Sequence, residues 1–218
     1  MRWNDLERHF SAARLRRYLV ARAGDEALAA ADYSANLRLA EAMMPMLNTL
    51  EIALRNGINA KLTERYQRQD WWAEWRKNPL FTRQLISIKS AVDMLGRRNE
   101  DPLPDKVLAE LTFGFWVSLF NTDQTPIWKE LRLVFPSCPK PLRQRKNISK
   151  ALNQVRSLRN RVFHHEPLLW LTPELIDQHR TGVQVIGWLA PELADWLNAR
   201  DRLPSCWRDW KNVASDSA

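Results

Sequence analysis

The chain has 218 residues, with 33 Lys or Arg against 25 Asp or Glu and a formal net charge of +8. Its six glycines and its two distant cysteines, Cys138 and Cys206, argue against a glycine-rich nucleotide-binding fold, a disulfide framework and a cysteine zinc site. A chain of this length buries a core without such staples.

Scarce glycine with abundant Ala, Leu, Arg and Glu predicts an all-α fold with short connections. Arg2 to Ala23 reads as a basic amphipathic helix. Asp25 to about Arg65 is a long helical stretch, expected to bend or break at Pro45. Trp71 and Trp72 fall in a turn region. Thr82 to Arg97 is the next helical pattern, and Pro104 to Phe120 reads as one apolar helix. Thr125-Pro126 opens a helix to about Phe135, with Pro in its first turn. After the Pro136 to Pro141 linker comes a basic helix to about His164, limited by Pro167. Two further helices are expected, to about Ala190 and from Pro191 to Arg200, before a small, polar tail after Trp210 that is expected to fray. The eleven tryptophans read as core or interface anchors.

The amino terminus lacks a signal-like apolar stretch, and the longest apolar run, Leu111 to Phe120, is too short to span a bilayer. The expectation is a cytoplasmic protein with no membrane partner and no cofactor.

The positive charge is concentrated. Between Leu131 and His165 stand Arg132, Lys140, Arg143, Arg145, Lys146, Lys150, Arg156, Arg159 and Arg161, with no Asp or Glu. Removing those nine from the 33 leaves 24 basic against 25 acidic side chains elsewhere. One segment therefore holds the whole excess, and such a field attracts polyanions, nucleic acid first.

Two charges sit on apolar stripes. With Ile148 at zero on a helical wheel, Leu152, Val155 and Val162 fall within about 40°, and Arg159 falls at about 20°. On the earlier helix Leu47, Leu54 and Ile58 define a stripe that includes Glu51 at about 40°. A buried acid and a buried base each need a partner, so Glu51 and Arg159 are expected to approach each other.

Arg159 is followed by Asn160 and, five residues on, by His164, with His165 adjacent. Histidine exchanges a proton near neutral pH, and arginine stays charged and grips phosphate bidentately. Such a pair suffices for RNA cleavage in which the 2′-oxygen attacks the adjacent phosphate. On an ideal helix the two side chains point about 140° apart, so they converge only if the last turn unwinds or a second subunit supplies one of them. A histidine at a helix end is also simply a favourable cap.

The run Ser157-Leu158-Arg159-Asn160-Arg161-Val162-Phe163-His164-His165-Glu166-Pro167 resembles the closing motif of the Abi-like family, the AbiD/AbiF type of abortive-infection proteins in the HEPN superfamily. Leu50-Glu51-Ile52-Ala53-Leu54-Arg55-Asn56 with Trp71-Trp72, and Leu111-Thr112-Phe113-Gly114-Phe115-Trp116, resemble earlier motifs in the family's order. The resemblance implies one HEPN-like helical bundle, its core at about residues 25–170, with additional N- and C-terminal helices, the latter at about 171–212. It implies a homodimer and metal-independent RNA cleavage in phage defence. Arg159 and His164 would be the catalytic pair, Asn160 the polar residue after the Arg, and Glu51 the helix-borne acid. Arg143, Arg145, Lys146, Lys150, Arg156 and Arg161 are the candidate RNA-binding cations, and an antitoxin or regulatory RNA is a candidate further partner. The alternative is a non-catalytic RNA-binding or interaction module on the same fold.

Overall fold

The computed structural model describes residues 2–215. Among them are helices and no strand. The amino-terminal segment forms two helices, α1 (Trp3–Phe10) and α2 (Ala12–Ala21). They part at Ser11, whose φ of 71° lies in the left-handed region, and the Ser11 side chain accepts from the Arg14 amide at 3.4 Å.

Helix α3 (Glu26–Tyr66) is 41 residues long, about 60 Å at 1.5 Å per residue. Asp25 caps it by accepting from the Leu28 amide at 2.9 Å, the usual use of a short acid before a first turn. The helix runs through Pro45 without interruption. Leu39, Met43, Met46, Leu50, Leu54, Ile58 and Leu62 are all buried. They recur at helical spacing on both sides of the proline, so burial outweighs one missing backbone bond.

The segment after α3 is a 3₁₀ helix, Trp71–Lys77, with Trp71, Trp72 and Trp75 buried. Trp71 Nε1 donates to Asn59 Oδ1 at 2.8 Å, and Trp75 stacks on Phe81 at 4.2 Å between ring centres. Helix α4 (Thr82–Arg97) has the expected bounds. The next apolar stretch is two helices, α5 (Pro104–Glu110) and α6 (Phe113–Ser118). Thr112 separates them as the N-cap of α6, accepting from the Phe115 amide at 3.3 Å. A short 3₁₀ helix, α7 (Trp128–Leu131) and a second 3₁₀ turn lead to α8 (Arg145–Phe163). The chain ends in α9 (Leu175–Leu189), α10 (Pro191–Asn198) and α11 (Leu203–Ser215). The tail after Trp210 is thus helical to Ser215, and its last three positions, 216–218, lie outside the described residues.

Helices α3, α8 and α9 pack against one another. At the α3–α9 crossing a Cβ on Gly182 would overlap the Met46 side chain, so only glycine permits this approach. Buried residues from Trp3 to Trp210 join one cluster. No helix among the described residues is long and apolar enough to cross a membrane.

Candidate active site

Helix α8 buries Ile148, Ala151, Leu152, Val155, Leu158 and Val162. Arg159 stands at the edge of that face. Its Nε lies 3.9 Å from Glu51 Oε2 on α3, and both side chains are 29% exposed. The two anomalies in the apolar stripes therefore face each other, at the rim of the core rather than deep inside it. The distance is too long for a direct hydrogen bond, and Arg159 Nε is itself buried without a hydrogen-bond partner. The guanidinium lies over the Phe163 ring at 4.1 Å from its centre, a cation–π contact one turn further along α8. Arg159 is thus oriented by an acid on one side and a ring on the other.

The helix ends in a Schellman motif. The Glu166 amide donates to the Arg161 carbonyl at 2.9 Å and the His165 amide to the Val162 carbonyl at 3.1 Å. His165 takes the left-handed position, at φ 56°, where glycine is usual. His164 is the C-cap residue. Its side chain is exposed, and among the described residues it has no hydrogen-bond or ion-pair partner. Asn160, also exposed, accepts through its carbonyl from the His164 amide at 2.9 Å. The last turn stays helical to Phe163, so Arg159 and His164 keep their divergent directions within one chain.

The turn after α8 is anchored from the other end of the sequence. Buried Asn36 on α3 accepts from the Leu168 amide at 2.6 Å and donates to the Glu166 carbonyl at 3.4 Å. Arg14 on α2 donates to the His165 carbonyl at 2.8 Å. Two separate segments, α2 and α3, thus fix where His164 is presented.

The structure divides the basic segment. Arg145 donates to the Phe120 carbonyl at 2.9 Å, and Arg161 pairs with Glu166 at 2.9 Å. Both are engaged within the fold. Among the described residues Arg132, Lys140, Arg143, Lys146, Lys150 and Arg156 have no side-chain hydrogen-bond or ion-pair partner. Arg132, Lys140 and Arg143 line a cleft of about 370 Å³ with Leu133, a concentration of cations with no acid to offset it.

A buried ionisable pair lies elsewhere. His179 Nε2 on α9 is 3.2 Å from Asp201 Oδ2, and both side chains are nearly enclosed. Burial holds the His179 pKa below its ordinary value, against the opposing pull of Asp201. The sequence carried a signal for it, since His179 shares the α9 stripe with Leu175 and Ile186, both buried.

Comparison with protein-family models, with curated proteins and with solved structures finds no match to this chain.

Proposed function

We propose that the protein is a metal-independent endoribonuclease of the HEPN type, acting in phage defence. The observation that carries the reading is Arg159, held between Glu51 at 3.9 Å and Phe163 at 4.1 Å, one turn before the exposed His164 at the end of the basic segment Leu131 to His165. The order of the three motifs that resemble the Abi-like family supports it from the sequence side.

The chemistry follows from the residue types. His164 takes the proton from a ribose 2′-hydroxyl. The freed 2′-oxygen forms a bond to the adjacent phosphorus, and the bond to the 5′-oxygen breaks. That oxygen leaves with a proton delivered by an imidazolium, and the products are a 2′,3′-cyclic phosphate and a 5′-hydroxyl end. Arg159 stabilises the charge that builds on the phosphoryl oxygens. Because Arg159 and His164 diverge within one chain, the reading includes a homodimer in which Arg159 of one copy and His164 of the other meet across the two-fold axis.

The test is cleavage of RNA in the presence of a chelator. His164→Ala is expected to lower the rate by about 10²–10⁴, while His165→Ala leaves the general acid or base in place. Mixing Arg159→Ala with His164→Ala protein is expected to restore activity through heterodimers that hold one intact pair. Loss of activity with chelator and its return with a divalent ion would overturn the mechanism. The second reading is an RNA-binding module without catalysis, favoured by the divergence of Arg159 and His164 in the single chain. Equal cleavage by wild type and His164→Ala would favour it.

A further inference from the structure

A second polar cavity opens between α4, α6 and α8. Its volume is about 220 Å³, and Arg83, Gln84, Thr112, Gly114, Ser118 and Arg156 are among its lining residues. Arg83 comes from α4 and Arg156 from α8, so two elements distant in sequence deliver one cation each. Neither guanidinium has a hydrogen-bond or ion-pair partner among the described residues. No acidic side chain lines the cavity. Two unpaired guanidinium groups at one cavity repel each other unless an anion lies between them.

The lining is polar below the arginines. Gln84 is only 3% exposed. Its amide makes one long bond, Nε2 donating to Ser118 Oγ at 3.4 Å, and leaves Oε1 buried without a partner. A buried amide oxygen left unpaired is costly, and a water or hydroxyl carried in with a ligand offsets that cost. The Thr112 hydroxyl oxygen already accepts from the Phe115 amide, which leaves its proton free to donate. Gln84 also interrupts an apolar stripe, since Ile88, Ala91 and Leu95 on α4 are buried with it.

We infer that this cavity binds a terminal phosphate of a nucleotide, and that it docks the end of an RNA strand beside α8. Arginine pairs and hydroxyl donors are the chemistry that recognises a phosphate dianion. The volume is below the roughly 300 Å³ at which whole-ligand clefts begin. It therefore takes the phosphate and leaves the base outside. Arg156 precedes Arg159 by three residues on the same helix, about 4.5 Å along the axis, so the pocket and the catalytic arginine share one stretch of α8. The inference rests on reading the basic segment as an RNA surface. The pocket itself is tested separately from cleavage.

The probes are a short 2′-O-methylated oligouridine with a 5′-phosphate, the same strand with a 5′-hydroxyl, and uridine 5′-monophosphate, measured by titration calorimetry. The phosphorylated strand is expected to bind about tenfold more tightly than the hydroxyl strand. Arg83→Gln and Arg156→Gln are each expected to abolish that preference, at the scale of one charge-assisted contact. Gly114→Leu keeps both arginines and fills the mouth, and it is expected to do the same. Circular dichroism checks that each variant is folded. Binding of the monophosphate alone, lost in the same variants, would keep the pocket, assign it to a free nucleotide and count against the RNA reading. Equal binding of both strands, unchanged by the three variants, would overturn the pocket and leave the RNA surface standing. No binding of any probe would overturn both.

Discussion

Arg159 and Glu51, each an exception on an otherwise apolar helix stripe, approach to 3.9 Å across the contact between α3 and α8. Both remain 29% exposed, and that moderates what the pair contributes. Breaking a fully buried pair costs about 3–5 kcal/mol, whereas a solvent-accessible one is worth about 1 kcal/mol or less. Glu51→Gln is expected to fall at the lower end, a melting shift of no more than about 4 °C in a chain this size. A drop of about 10 °C or more in a thermal melt would mean that the pair is buried in solution. A larger effect is expected on cleavage, because Glu51 positions the arginine.

Asn36 is expected to matter more for stability than Glu51. Its side chain serves two backbone groups in the turn after α8, and the Leu168 amide that it accepts from lies in a buried contact. Asn36→Ala leaves that amide unsatisfied, at a cost of about 1–3 kcal/mol. Asn36→Asp keeps the acceptor and is expected to lose less. Urea denaturation of the two variants checks the order, and equal losses would mean that the Leu168 bond is not the important one.

His165 occupies a backbone position that disfavours side chains. The left-handed conformation costs a non-glycine residue about 1–2 kcal/mol, and glycine gives back part of that through its freer unfolded chain. His165→Gly is therefore expected to stabilise the fold by up to about 1 kcal/mol, and His165→Val to destabilise it. Melting temperatures of both variants, moving in opposite directions, are the measurement. A loss with glycine would show that the histidine side chain has a partner in solution.

Salt dependence separates the cations that the fold uses from those that it leaves available. With six unpaired cations in the basic segment, the slope of log affinity for single-stranded RNA against log salt is expected to reach about −4 at most. Lys146→Gln with Lys150→Gln is expected to reduce it by about 1.4. Arg145→Gln and Arg161→Gln are expected to change it little, since those side chains hold the Phe120 carbonyl and Glu166. A slope near zero in the wild type would mean that this surface does not track phosphates.

His179 ties stability to pH. Its folded pKa is depressed, mainly by burial; Asp201 pulls it up and Arg180 pushes it down. The unfolded chain therefore takes up a proton near pH 6.5 that the folded chain resists. The stability is fully present above that value and is lost as the pH falls below it. From about pH 7.5 to about 5.5 the melting temperature of the wild type is expected to drop further than that of His179→Gln. Parallel curves would show that the imidazole is solvated in solution.

Much of the helical layout was readable because apolar periodicity and capping residues agree. Thr82 to Arg97 is the clearest case. Glu51 and Arg159 were readable by the same means, since a charge on an apolar stripe demands a partner. The misses have physical causes. Ser11 breaks the first helix with a positive φ that serine does not announce. Thr112 splits Pro104 to Phe120 by capping, a signal hidden within an apolar run. Pro45 suggested a bend or a break, and the buried residues on both sides keep the helix unbroken. Gln84 and His179 interrupt apolar stripes just as Glu51 does, whereas Asp201, the partner of His179, lies between helices and carries no such signal. Arg83 carried no local signal at all, since only the tertiary fold brings it to the same cavity as Arg156.

The bare backbone of Gly182 against Met46 interlocks α3 and α9 where they cross. With the methionine seated where a side chain would otherwise stand, neither helix slides along the other without lifting away. Met46 follows Pro45, the residue at which the long rod lacks one rung of its hydrogen-bond ladder. The gap in the α3 hydrogen-bond ladder and the interlock with α9 therefore fall on adjacent residues, and the contact with α9 backs the helix where its own ladder is incomplete.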